Sequence, residues 1–415
     1  MIIYSKNIYL ENNKICGFIK VDKEKIVDIK ECNRDLDCDY LKEYVSSELK
    51  WDSNDEIFDY SNLNIIPGFI DIHIHGWGTG SFWLEKSKES ILEMKKYLPI
   101  EGVTSFLATS GADTKDEILG QIDAVNEAYE ENQIGADLLG IHLEGPFINK
   151  EFKGMQNEEN CILPNIDIMK SFYERQGKQG LIKLMTMAPE LENSKEVAEF
   201  CKEKGIQLSV GHSAATFEQI KEMKEHGFSG FTHTFSGMKG MHHRELGVAG
   251  SALYFDDMYC EFAKQTGLTV KHEIFDIALR IKTSDKIILT TDCCGLAKTN
   301  KPWNHYVRRI TIIPHEKGVM IKNYDGREEI IDNSNYENVR GIEMSYINSV
   351  KNVIKHSKVT IFDVIKMTSA NPAKYINVFD KKGSIDINKD ADLLVVDNDF
   401  NIIDTIVRGK VYDIK

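Results

Sequence analysis

Six side chains in this sequence are of the types that hold a divalent ion and move a proton: His73, His75, Glu144, His212, His233 and Asp292. His73 and His75 lie in Ile70-Asp71-Ile72-His73-Ile74-His75, where apolar and polar residues alternate. Period-two alternation is a strand pattern, and it sends both imidazoles to one face. Two imidazoles on one rigid face make half of a metal site. Glu144 closes a later apolar run, with His142 on the same face and Gly145-Pro146 stopping the run. His212 follows Ser209-Val210-Gly211, His233 follows Phe231-Thr232, and Asp292 follows Leu289-Thr290-Thr291. One histidine at a strand end signifies little. The same chemistry at five strand ends points to a common rim.

The donors are nitrogen and oxygen with no cysteine, which suits Zn²⁺ foremost, with Fe²⁺, Mn²⁺ or another first-row ion as alternatives. Six donors exceed what one tetrahedral ion with an open position takes. Either two ions share a bridging carboxylate, for which Glu144 is placed, or one ion works beside a separate acid–base. Asp292 suits the base, because it can take a proton from a water whose pKa the ion lowers toward about 7.

Short apolar strands must position these groups. Candidates are 66–75, 103–109, 138–144, 181–187, 207–212, 230–233, 259–262 and 286–292, separated by amphipathic helical stretches such as 89–97, 116–129, 195–204 and 217–226. Alternating strands and helices build either a closed β/α barrel or an open doubly wound sheet, and periodicity does not choose. The first 64 residues read as short hairpins, with 35–55 acidic and less regular. The tail from Ala391 to Tyr412 reads alike, so both ends are expected to pair in one small β domain. Residues 316–338, with Asp325-Gly326, are expected to form a hairpin or loop beyond the last barrel strand.

A chain of 415 residues suits one barrel plus a smaller unit. Its net charge of −14 argues against nucleic acid and anionic membranes as partners, since both need a basic footprint. No run approaches a membrane span, and no signal peptide is evident. Eight scattered cysteines without a CxxC pair read as free thiols of a cytoplasmic protein. Cys293-Cys294 reads as small-residue packing beneath the rim.

The motifs PGFIDIHIHG, GIHLEGPF, MAPE, SVGHSAAT, FTHTFSGM, HHRELG and LTTDCCG, in this order, resemble the amidohydrolase superfamily and within it the N-acetylglucosamine-6-phosphate deacetylases. The likeness resumes at Thr368–Ala373 and Gly383–Asp397. It implies a (β/α)₈ barrel, residues 65–374, with a split β-sandwich from residues 1–64 and 375–415. It also implies a metal held by Glu144, His212 and His233, with His73 and His75 helping to hold a second ion and Asp292 as acid–base. The implied reaction is hydrolysis of the N-acetyl group of a 6-phosphorylated aminosugar, in a homodimer. Related branches bridge their ions with a carbamylated lysine at the end of the fourth strand. Here Lys183 lies near the start of that strand, and Glu144 fills the role instead.

The substrate pocket departs from the family pattern. His243 and Arg244 are the expected phosphate contacts, the family's arginine often reaching across the dimer. Gln156 stands where a histidine is usual, and Ser236-Gly237 replaces Asn-Ala; all three are expected to meet the sugar. Thr266-Gly267-Leu268-Thr269 replaces an Asp-Gly-x-His segment, with His272 out of register, and 339–344 replaces a Gly-Ser loop. Catalysis reads as preserved and recognition as altered. The alternatives are an amidohydrolase of another N-acyl sugar, an N-acyl amino acid or a cyclic amide, a deaminase, or a silent sugar-phosphate binder. A silent binder would have no chemical need for Asp292.

Overall fold

A computed structural model describes the chain except for residues 33–35, 37, 53–54, 132–134, 266, 306–307, 343–344 and 413–415. The chain starts in a small sheet: β1 (Ile2–Tyr9), β2 (Lys14–Asp22), β3 (Lys25–Glu31), β4 (Ile57–Asp59) and β5 (Asn64–Pro67). Between β3 and β4 the acidic stretch contains a helix, Cys38–Ser47, which the sequence pattern did not show. Leu41 and Val45, one helical turn apart, pack on Ile2, Tyr4 and Phe18 of the sheet. Asp35 and residues 53–54 of that stretch lie outside the described residues.

The expected strand 66–75 divides at Gly68. Ile65 to Pro67 pair with the small sheet, and β6 (Phe69–Ile74) starts the barrel. The crossing has no room for a side chain, because a Cβ on Gly68 would fall 2.2 Å from Thr104 Oγ1. After a two-residue hairpin, β7 (Gly76–Trp77) and β8 (Gly80–Ser81), come β9 (Val103–Thr109), β10 (Asp137–Glu144), β11 (Ile182–Met187), β12 (Gln207–Val210), β13 (Phe228–Phe231), β14 (Tyr259–Ala263) and β15 (Ile287–Thr290). The strands β6 and β9 to β15 lie side by side, all parallel, in sequence order. The ends of the row meet: Asp292 N–H donates to His73 O (2.7 Å), and His75 N–H to Cys293 O (2.8 Å). The eight expected strands therefore form a (β/α)₈ barrel.

Beyond the barrel, β16 (Trp303–His305), β17 (Ile310–His315), β18 (Gly318–Asn323) and β19 (Glu328–Asp332) form an antiparallel sheet. The hairpin expected in 316–338 is here, with Asp325-Gly326 in the turn between β18 and β19. The Thr368–Ala373 motif anchors the base of the barrel, where Asn371 donates its side-chain amide to Ser284 O and Ile287 O. Finally β20 (Leu393–Val396), β21 (Ile402–Val407) and β22 (Lys410–Tyr412) return to the small sheet, β20 lying against β5. Their Leu393, Val395 and Ile406 share an apolar core with Ile3, Ile8 and Ile65. Lys382 clamps the junction, its buried ammonium meeting Asp137, Asp390 and Asp392. No helix among the described residues is long and apolar enough to cross a membrane.

Candidate active site

At the C-terminal end of the barrel, where such folds keep their chemistry, the six expected groups converge. They form two clusters, each with its donor atoms within 4.8 Å of one another: His73, His75 and Asp292, and Glu144, His212 and His233. Glu144 lies between them. Its Oε1 is 3.1 Å from His212 Nε2 and 3.0 Å from His233 Nε2, and its Oε2 is 3.2 Å from His75 Nε2. Asp292 Oδ1 is 3.3 Å from His75 Nε2. Five of the side chains are buried, whereas that of Asp292 is 27% exposed and faces the cavity.

The backbone aims these groups by unusual means. His212, His233 and Asp292 have φ of 47°, 30° and 48°, and Lys264, which follows β14, has φ of 46°. Left-handed backbone is uncommon outside glycine, and it clusters where surrounding structure enforces it for function. Just past each of four adjacent strands, β12 to β15, one residue thus takes positive φ, and all four side chains line the cavity at the barrel mouth. Glu190 of the MAPE motif braces the His212 loop, accepting from Asn149, Ser213 Oγ (2.7 Å) and Ala214 N–H (2.6 Å).

Each histidine has its tautomer fixed from behind. Thr109 O, Phe152 O and Ser236 O accept from Nδ1 of His75, His212 and His233, and Glu261 Oε1 lies 2.6 Å from Nδ1 of His73. With the proton on Nδ1, every Nε2 presents a bare lone pair to the centre. His73 Nε2 and His75 Nε2 are 3.3 Å apart, and His212 Nε2 and His233 Nε2 are 3.1 Å apart. Such lone pairs facing each other and two carboxylates demand positive charge between them. Burial would lower His73, His75 and His233, but the carboxylates around them win and raise all three, His73 well above its ordinary range. Burial would likewise raise Glu144, yet His73, His212 and His233 hold it well below the carboxylate range. Nitrogen and oxygen donors so arranged fit divalent cations. His142 does not join them. Its Nδ1 donates to Ile72 O, its Nε2 accepts from Thr186 Oγ1, and burial holds its pKa well below the ordinary range.

A cavity of about 270 Å³ opens over these groups. Gln156, Ser236 and Gly237 line it; His243 and Arg244 do not, being exposed on the loop before the helix Gly247–Tyr254. Thr269 lines it, while His272 stacks on His356 away from it. Thr266, Glu343 and Met344 of the two departing segments lie outside the described residues. The sequence reading missed Lys264, Trp83 and His305, which also form the wall. Lys264 donates to Asp292 O and, after burial, exerts the largest influence on the Asp292 carboxyl, which sits well below its usual range. The adjacency of Lys264 to a strand end was the available signal; His305, on the distant β16, offered none.

A sequence model of the Amidohydrolase family matches residues 64–412. N-acetylglucosamine-6-phosphate deacetylase of Bacillus subtilis (strain 168) is 33% identical over 350 residues, 84% of each chain. The chain belongs to the amidohydrolase family, among its N-acetylglucosamine-6-phosphate deacetylases. The solved N-acetylglucosamine-6-phosphate deacetylase of Thermotoga maritima superposes on this amidohydrolase with a TM-score of 0.77 at 26% identity, covering 100% of this chain and 99% of that one. An N-acetylgalactosamine-6-phosphate deacetylase of Escherichia coli O157:H7 is 24% identical over 84% of this chain and 87% of its own.

Proposed function

We propose that this amidohydrolase removes the N-acetyl group from an N-acetylhexosamine 6-phosphate, N-acetylglucosamine 6-phosphate first, giving acetate and the aminosugar phosphate. The carrying observation is Asp292, the most exposed of the six rim groups at 27%, which belongs to one of two clusters of metal-type donors at the floor of the cavity. Glu144, His212 and His233 would hold one divalent ion, Zn²⁺ foremost, and His73, His75 and Asp292 a second. An ion there would supply a Lewis acid for the amide carbonyl and would lower the pKa of a water beside it. Asp292 takes the proton of that water as its oxygen bonds to the acyl carbon, and returns it to the amine as the C–N bond breaks.

Gln156, Ser236 and Gly237 would meet the sugar from the cavity wall. His243 and Arg244 lie outside this chain's cavity, so phosphate contact through them requires a second copy, and a homodimer is part of the proposal. The small unit (1–64 and 375–415) and barrel (65–374) act as scaffold and catalyst. A cytoplasmic location is part of the proposal, in keeping with eight scattered cysteines that form no CxxC pair.

The test is acetate release from N-acetylglucosamine 6-phosphate by metal-loaded protein, with Asp292→Asn alongside. Acetate should appear, and the variant should lose ~10²- to 10⁴-fold in kcat, the usual worth of a positioned acid–base. Near-normal turnover by Asp292→Asn would sink the mechanism. A second reading, the galactosamine epimer or another N-acyl sugar, is favoured by Thr269, a cavity-wall residue from the segment that departs from the family pattern; comparing the epimers, with and without phosphate, separates the two.

A further inference from the structure

Of the barrel strands, β14 carries no member of the two donor clusters, yet it places a carboxylate directly behind them. Glu261 is 3% exposed. Its Oε1 lies 2.6 Å from His73 Nδ1 and accepts the backbone N–H of His233 at 3.1 Å. Its Oε2 is buried and meets no hydrogen-bond donor among the described residues. A buried carboxylate with one oxygen unsatisfied is costly. A neutral residue of the same shape would fill the space with less penalty, so the charge itself calls for an explanation.

Comparison of the four histidines supplies it. His75, His212 and His233 each rest Nδ1 on a neutral backbone carbonyl, whereas His73 rests on a full negative charge. A carboxylate behind an imidazole fixes its ring and makes the opposite nitrogen a stronger donor. The same oxygen also holds the backbone of His233 at its left-handed turn, so it grips one member of each cluster.

We propose that Glu261 is a positioning residue that sets the metal affinity of the His73, His75 and Asp292 cluster through His73 and ties that cluster to the His233 strand end. The proposal rests on the reading of the rim as a metal centre and is independent of which sugar is cleaved.

The test uses metal-free full-length protein dialysed against chelator-buffered Zn²⁺, with bound metal per chain measured at each free concentration. Four forms are compared: the unsubstituted chain, Glu261→Gln, His73→Ala and the double variant. Glu261→Gln keeps an acceptor oxygen of the same reach and removes only the charge. It should weaken the His73-dependent part of the binding curve by ~10- to 100-fold, the usual effect of losing such a partner, and leave the remaining part in place. In the His73→Ala background the Gln substitution should change nothing further. A merely structural role would weaken all binding and persist in that background, as thermal melts would also reveal. The proposal is overturned if Glu261→Gln binds as the unsubstituted chain does, if its effect survives His73→Ala, or if His73→Ala leaves the curve unchanged. Should the unsubstituted chain take up no ion, the metal reading fails with it; an unchanged curve for His73→Ala strikes the second-ion assignment as well, and the other two failures strike Glu261 alone.

Discussion

Gln156 donates its amide to Glu144 Oε2 at 2.6 Å, and its own oxygen accepts the Ala112 N–H at 2.8 Å. The Ala112 contact settles which way the amide points, so the nitrogen faces the carboxylate that lies between the two donor clusters. Gln156 therefore works from behind Glu144 as well as lining the cavity. Gln156→Ala should weaken Zn²⁺ binding ~10- to 100-fold, in line with loss of a partner that orients a ligating group, while costing stability only about 1 kcal/mol. Chelator competition and a thermal melt read the two effects separately. Unchanged affinity would show that Glu144 needs no such support.

Much of this site was legible because strands announce themselves by composition. His73 and His75 share a face by period alone, and Glu144 sits where Gly145-Pro146 must end a strand. What was not legible lies past the strand ends, where one backbone angle redirects a side chain. Nothing in the residue types says that His212, His233, Lys264 and Asp292 all take positive φ. Glu261 looked like an ordinary strand residue because its importance comes from His73, far away in sequence. His305 reaches the cavity from a sheet whose packing depends on long-range contacts, and Arg244 was legible as a cation but not as an exposed one. The helix Cys38–Ser47 hid in charged surroundings because a narrow stripe, Leu41, Tyr44 and Val45, carries its contact with the sheet.

Gly237 carries the next expectation. Its φ is 56°, and a Cβ there would stand 3.0 Å from His212 Nδ1. Gly237→Ala must accept a backbone region that L-residues avoid, at a cost of roughly 1 kcal/mol or more, and must also push the His212 ring from Phe152 O. Metal affinity should fall together with the melting temperature. A variant that melts earlier but binds Zn²⁺ normally would confine the effect to the backbone.

His305 gives a pH signature. Burial, then the charges of Lys264 and Arg308, lower its pKa to about 4. An unfolded histidine titrates near about 6.5, so between these values the unfolded chain binds the extra proton. By linkage, stability is unaffected by this group above the unfolded pKa and is lost as pH falls through 6.5 toward the folded value. Histidine NMR titration should find His305 neutral throughout pH 5.5 to 8, and His305→Gln should melt with a shallower loss between pH 6.5 and 4.5 than the unsubstituted chain. A His305 resonance titrating near 6.5 would contradict the influence of partial burial and of the Lys264 and Arg308 charges on that ring.

Lys264 is the one lysine or arginine, among the described residues, that lines the cavity. Its ammonium donates to the main chain of Asp292, and its charge favours the ionised Asp292 carboxyl. Lys264→Met keeps the apolar stem and removes the charge. Asp292 is competent as a base above its pKa, and loss of the lysine raises that pKa, so the acid limb of the kcat profile should move to higher pH. If the ammonium also meets the sugar, one charge-assisted hydrogen bond is worth about 1.5–3 kcal/mol, or roughly 10- to 100-fold in kcat/KM. The two roles separate by substrate and by pH: a base effect appears in kcat for every N-acyl sugar, whereas a recognition effect appears in KM for the sugar whose group is contacted. A flat kcat profile with unchanged KM across the epimer and phosphate series would remove Lys264 from both roles.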